Sequence, residues 1–265
     1  MGRATFAARS YRATALVLRT QPLGEADRII TLLSAEHGVI RAVAKGIRKT
    51  SSRFGASLEP FTLVDVQLVH GRSLDILTQA QTRAPYGQYL AADYSLYTAA
   101  CAMAETAERL TSVETGFYST QYRLFYGAVA TLAKAEHDPQ LILDSYLLRA
   151  LAAAGWAPSF TDCVRCGAPG PHASLNVPLG GVCCPGCRPP GSQTPGAGSI
   201  TLLAALLVGD WAVADAADEH ARWDAAKFVN SFVHYHLERQ VKALSHVQRD
   251  NTEPTIPPVH RSNHL

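Results

Sequence analysis

No stretch of this 265-residue chain is apolar for long enough to cross a membrane. A spanning helix needs about 20 such residues, and a run like Leu202 to Val208 is a short core segment. Residues 1–10 carry arginines but no continuous apolar centre, so they read as a ragged extension and not as an export signal. A cytoplasmic protein is the expectation. Catalytic signatures are missing too. There is no G-x-x-x-x-G-K-[ST], no G-x-G-x-x-G, no H-E-x-x-H and no G-x-S-x-G. Nothing in the pattern supports an enzyme. Aromatics are scarce in residues 12–83, where only Phe54 and Phe61 occur. Binders of single-stranded nucleic acid often stack bases on several aromatics. Nucleic acid held by this segment is therefore expected to be gripped by its backbone, with little regard to sequence and strong dependence on salt. Both phenylalanines can equally be core residues, and Phe61 reads as one.

What the chain does have is a cysteine pattern. Cys163-Val164-Arg165-Cys166 and Cys184-Pro185-Gly186-Cys187 are separated by residues 167–183, which gives C-x2-C-x17-C-x2-C. Two such knuckles can bring four thiolates to one tetrahedral metal, and zinc is the metal this spacing predicts, one per chain. Gly167 and Gly186 sit where the knuckles must turn sharply. Four protein ligands leave no open position for chemistry, so the site is structural. Disulfides would need an oxidising compartment. The second pair lacks the strand-then-helix setting of a redox motif. A zinc deaminase carries its proline before the cysteine pair, whereas Pro185 lies inside it. Cys183 is a spare thiol, His172 reads as solvated and Cys101 as a small buried hydrophobe.

Charge is unevenly spread. Residues 1–83 hold twelve Lys/Arg against six Asp/Glu, a net +6, and residues 84–265 hold twelve against sixteen, a net −4. The first segment is therefore expected to meet a polyanion. Its densest basic cluster is Arg41, Lys45, Arg48, Lys49 and Arg53. Arg41 and Lys45 are four apart on a strand and share a face. The other three lie on the following loop, where Thr50, Ser51 and Ser52 add hydroxyls suited to phosphate oxygens. Five contacts to one single strand would give a log–log salt slope of about −3.5. Glu25 and Asp27 read as turn carboxylates, and His234 and His236, two apart on a helix, do not face each other.

The hydrophobic rhythm divides the chain. Strands are expected at 13–19, 28–33, 39–45, 61–70 and 74–82, with turns at Gly24, Gly38 and Gly71. Five short strands with an insertion between the third and fourth predict a small closed barrel, the OB-fold being the commonest. Helices are expected at 87–111, 115–135, 139–154, 199–208 (Ser199 as N-cap) and 222–247. The buried side of the last is marked by Phe228, Phe232, Tyr235, Leu237, Val241 and Leu244. The expected organisation is an extension at 1–10, an OB-fold DNA-binding domain at 11–84, and a helical domain at 85–249. The zinc module is inserted at about 160–190, and 250–265 is a disordered tail.

These segments carry a resemblance. Ala15-Leu16-Val17-Leu18-Arg19, Leu23-Gly24-Glu25-Ala26-Asp27-Arg28, His37-Gly38, Arg41-Ala42-Val43-Ala44-Lys45-Gly46, Ser52-Arg53-Phe54-Gly55 and Leu58-Glu59-Pro60-Phe61 are its residues, with Gly180-Gly181 ahead of the second knuckle. Over about residues 11–249 the chain resembles the bacterial RecO family of recombination mediators, in its actinobacterial form. The resemblance implies a non-enzymatic DNA repair protein with an N-terminal OB-fold, a helical domain and an inserted zinc finger. It implies binding of single- and double-stranded DNA and annealing of complementary strands. Cooperation with RecR would then load RecA on DNA coated with single-strand-binding protein, whose acidic C-terminal tail docks on the helical domain. The protein would work in the cytoplasm, at the nucleoid. The basic segment carries over as DNA-binding and the four cysteines as zinc ligands. The alternative is a zinc-ribbon DNA-binding accessory protein that binds without annealing.

Overall fold

A computed structural model describes residues 10–49, 52, 54, 56–112, 118–237, 244, 246 and 247. Strands β1 (Ser10–Leu23), β2 (Asp27–Ser34), β3 (Gly38–Ala44), β4 (Thr62–Val69) and β5 (Asp75–Pro85) close a barrel in the order β1-β2-β3-β5-β4. Long β1 closes it by pairing with both β2 and β4, so that Leu16 stands opposite both Leu33 and Leu63. Only β3 and β5 run parallel. All five expected strands are present. Ser10, assigned to the extension by the sequence reading, opens β1. The expected tail at 250–265 lies outside the described residues.

Period-two alternation sorts the strand side chains into two cores. Ala15, Val17, Ile30, Leu32, Val66 and Leu68 fill the barrel. Their outward neighbours Leu16, Leu18, Leu33 and Leu63 join the core of the helices instead. The helix facing them is rich in small residues, and Ala99, Ala100, Ala102 and Ala107 are all buried there. Small side chains let the helix lie close to the barrel wall. Arg19 adds a bidentate bond to Glu108 at 2.8 Å for each nitrogen.

The helical part comprises α1 (Tyr86–Leu90), α2 (Tyr94–Ser112), α3 (Tyr118–Lys134), α4 (Pro139–Ala153), α5 (Ser199–Val208), α6 (Trp211–Asp215) and α7 (Glu219–Leu237). Helix α4 is its centre. Asp138 caps it by accepting from the N–H groups of Gln140 and Leu141, and Pro139 needs no such partner. Gly38 fixes the seat of α3 on the barrel: a Cβ there would lie 2.6 Å from the Tyr118 ring. None of these helices is long and apolar enough to cross a membrane.

Several sequence expectations need correction. The single helix at 87–111 is two, because the chain breaks after α1 and Asp93 accepts from Leu96 N–H to start α2. Ser199 does not cap α5. Gly198, in a left-handed conformation, holds that position, and the Ser199 hydroxyl donates to Asp224. Helix α6 was not expected. Helix α7 starts at Glu219 rather than 222, and Tyr235 is 54 % exposed while Phe228 and Phe232 are buried. Val241 lies outside the described residues. Cys101 is half-buried rather than fully enclosed.

Candidate metal centre and nucleic-acid interface

Between α4 and α5 the chain forms a small module around the hairpin β6 (Ser174–Asn176) and β7 (Gly181–Cys183). Gly181 is required there, since a Cβ would lie 2.0 Å from the Ser159 carbonyl oxygen. The first knuckle is closed by Gly167 N–H donating to Cys163 O, and the second by Cys187 N–H donating to Cys184 O. Gly167 has the expected left-handed backbone. Gly186 does not, and open space surrounds it.

The ligand atoms of Cys163, Cys166, Cys184 and Cys187 all lie within 4.8 Å of one another, with Cys166 and Cys184 Sγ at 3.8 Å. Tetrahedral thiolates about 2.3 Å from a metal stand about 3.8 Å apart, whereas a disulfide needs about 2.05 Å. The geometry fits a structural metal site. The four groups also act on one another's protons. Backbone N–H groups of Cys184, Cys166 and Arg165 hold the Cys163 thiol down to about 6. Hydrogen bonds with the thiols of Cys184 and Cys166 push Cys187 up to about 12. Four cysteine sulfurs converging this closely make a ligand set for one cation. Cys183 is buried in β7, outside the cluster. His172 is half-buried, with Nε2 2.8 Å from Ala168 O, and is not a ligand either.

On the barrel, β3 alternates Ile40, Ala42 and Ala44 inward with Arg41 outward, and Lys45 follows in the same phase. Next comes a tight turn. Gly46 N–H donates to Asp27 at 2.8 Å, Arg48 N–H to Ala26 O at 3.0 Å, and the Arg48 guanidinium to Gly24 O. Asp27 thus ties the basic turn to the β1–β2 turn. Arg41, Lys45, Arg48 and Lys49 are all exposed, and none has an ion-pair partner among the described residues. Arg19, Arg28 and Arg83 of the same barrel are paired with Glu108, Glu59 and Asp65. Arg53, Thr50 and Ser51 lie outside the described residues. Phe54 and Phe61 are core residues, 2 % and 1 % exposed, so neither can receive a base.

Two features escaped the sequence reading. Tyr11, His37 and His70, from three separate segments, meet at one end of the barrel, where Tyr11 stacks on His70 at 4.5 Å and tilts against His37 at 4.8 Å. The Tyr11 hydroxyl donates to Asp75, and burial, with that bond, raises its pKa well above the usual tyrosine value. The second feature is a cavity of about 160 Å³ between α3, α4 and α6. Exposed Arg123 and Arg149 line it, with Trp211 and Tyr146. The Tyr146 hydroxyl is buried and has no hydrogen-bond partner among the described residues. Neither feature leaves a local sequence signal, because each is assembled by tertiary contact.

Known proteins match this architecture along its length. The family model for the recombination protein O N terminal region matches residues 8–86, and that for its C terminal region matches residues 91–245. The chain is 51 % identical over 245 residues to the DNA repair protein RecO of Streptomyces griseus subsp. griseus, covering 90 % of this chain and 99 % of that one. It is 51 % identical over 239 residues to RecO of Thermobifida fusca, covering 90 % and 98 %. With RecO of a Nocardioides species it shares 50 % identity over 242 residues, covering 90 % and 99 %. The chain belongs to the RecO family of DNA repair proteins.

Proposed function

We propose that this protein is a non-enzymatic recombination mediator. It binds single- and double-stranded DNA, anneals complementary strands and, with RecR, helps load RecA onto DNA coated by single-strand-binding protein, in the cytoplasm at the nucleoid. The observation that carries the reading is the row of exposed cations Arg41, Lys45, Arg48 and Lys49, none of them ion-paired among the described residues. Together with Arg53, which lies outside the described residues, they are the residues that bind DNA. Complementary strands repel through their phosphates. Lys/Arg contacts that neutralise one strand lower that repulsion and leave its bases free to pair. Such annealing needs positioning and charge, not bond chemistry.

The metal is zinc, one per chain, held by Cys163, Cys166, Cys184 and Cys187 as a structural centre. The acidic C-terminal tail of single-strand-binding protein docks in the cavity between α3, α4 and α6. There Arg123 and Arg149 meet its carboxylates, Trp211 its apolar end, and the Tyr146 hydroxyl gains the partner it lacks. The test is annealing of complementary oligonucleotides coated with the cognate single-strand-binding protein. Acceleration on adding this protein is expected. DNA binding without acceleration would leave a plain zinc-ribbon DNA-binding accessory protein.

A further inference from the structure

A chain of contacts ties the first turns of α2 to the basic turn of the barrel. Tyr97 meets Phe61 edge to face, with ring centroids 5.7 Å apart and 83° between the planes. Two residues before Phe61, Glu59 accepts from the Arg28 guanidinium at 3.1 Å. Arg28 pairs in register with Ala44, the neighbour of Lys45. The turn after Lys45 comes back to the same end of the barrel, where Arg48 donates to Ala26 O through its N–H and to Gly24 O through its guanidinium. Further along α2, Glu108 is bonded to Arg19 on β1, so the helix lies along the barrel wall.

Tyr94 and Tyr97 are three apart on α2 and share a face, with Cβ atoms about 5–6 Å apart. They are 58 % and 39 % exposed. The packing of α2 against the barrel is done elsewhere on the helix, by Ala99, Ala100, Ala102 and Met103, all buried. A ring serving only to fill that contact would be covered as Phe61 is. The carboxylates near the two rings are engaged. Asp93 accepts Leu96 N–H at 3.0 Å, and Glu59 is paired with Arg28. Beyond Arg28 stand Lys45 and Arg48, exposed and without an ion-pair partner among the described residues. Two open aromatic rings beside unpaired cations suit a ligand that carries flat bases on a chain of negative charge.

We propose that Tyr94 and Tyr97 receive unpaired nucleobases of a single strand whose phosphates lie along Lys45 and Arg48. This inference rests on the barrel cations being the residues that bind DNA. Stacking tolerates any base, because every base has a π-face, and suits a protein that must accept any sequence. It also holds a base by its face and leaves the pairing edge open to a complementary strand. The aromatics that residues 12–83 lack are supplied by the helical part of the chain.

The experiment is equilibrium binding of a single-stranded oligonucleotide, and of the same oligonucleotide with abasic sites, at several salt concentrations. Wild type is compared with Tyr94→Ala, Tyr94→Phe, Tyr97→Ala and Lys45→Ala. Tyr94 is mostly exposed, so its removal leaves the fold intact. Each tyrosine-to-alanine variant should bind the intact strand about five- to tenfold more weakly, the lower end of one stacked base. The salt slope should be unchanged, because no phosphate contact is lost. Tyr94→Phe should restore affinity, and the defects of the alanine variants should vanish on the abasic strand. Wild-type affinity in either alanine variant, or an equal defect on the abasic strand, overturns the platform. If Lys45→Ala also binds normally with an unchanged slope, the barrel reading itself has failed. A weakened Lys45→Ala beside a normal Tyr94→Ala rejects the platform alone.

Discussion

At the scale of single residues, two kinds of unmet physical need can be tested directly. The Tyr146 hydroxyl is buried and unpartnered, and a buried polar group left so costs about 1–3 kcal/mol. Tyr146→Phe should therefore leave thermal stability unchanged or slightly raised. The same change should weaken binding of an acidic tail peptide about two- to tenfold, the worth of one hydrogen bond, as read by fluorescence anisotropy. A clear loss of stability would mean that the hydroxyl has a partner. The exposed cations present a different need, for counter-charge. Replacing Arg41, Lys45 and Arg48 together with alanine should weaken single-strand binding and flatten the log–log salt slope by about 2, since each phosphate contact contributes about 0.7. Unchanged affinity would move the DNA site elsewhere.

At the scale of elements, the cysteine module and α7 are the parts whose stability depends on solution conditions. The module places Phe160, Leu175 and Val182 in the helical core but has little else apolar to bury. Fresh protein should contain about one zinc per chain. Chelation should let protease cut within about residues 160–190 while the barrel keeps its β-sheet circular dichroism; protease resistance unchanged by chelation would deny the metal a structural role. Near the end of α7, His236 stacks on Trp156 and meets the edge of Phe232. Burial lowers its pKa from the ordinary 6.5. Around that pH the unfolded chain binds a proton that the folded protein resists, so stability rises with pH. The contribution is complete above about pH 6.5 and is lost as pH falls below it. The thermal midpoint of His236→Phe should fall less steeply than wild type between pH 7 and 5.5.

What could be read from the sequence follows the range of the forces involved. Strands were legible because alternation and glycine turns are local: Gly24 and Gly38 sit with positive φ at the turns expected. The knuckles were legible because metal geometry demands fixed spacing. Short α6 has too few residues to show a period. Ser199 looked like a cap only until Asp224, 25 residues away, took its hydroxyl. The meeting of Tyr11, His37 and His70 depends on barrel closure, which no local window contains.

At the scale of the whole molecule, barrel and helices share one core. Leu16, Leu18, Leu33 and Leu63 leave the barrel and enter the helical cluster, joined there by Phe61. A fragment of residues 1–86 would expose these side chains to water. It should aggregate or give the poorly dispersed amide spectrum of a loose chain, whereas full-length protein stays folded; a well-dispersed, monomeric fragment would show the shared core to be dispensable. The contact at Gly38 carries a further consequence. No side chain lies between the tip of the β2–β3 hairpin and the Tyr118 ring, so no compressible layer separates them. The hairpin tip carries His37, and the helix begun by Tyr118 forms one wall of the cavity lined by Arg123. A strand held on the barrel and a peptide held between the helices would therefore keep a constant angle and separation, as two workpieces do when clamped in one jig.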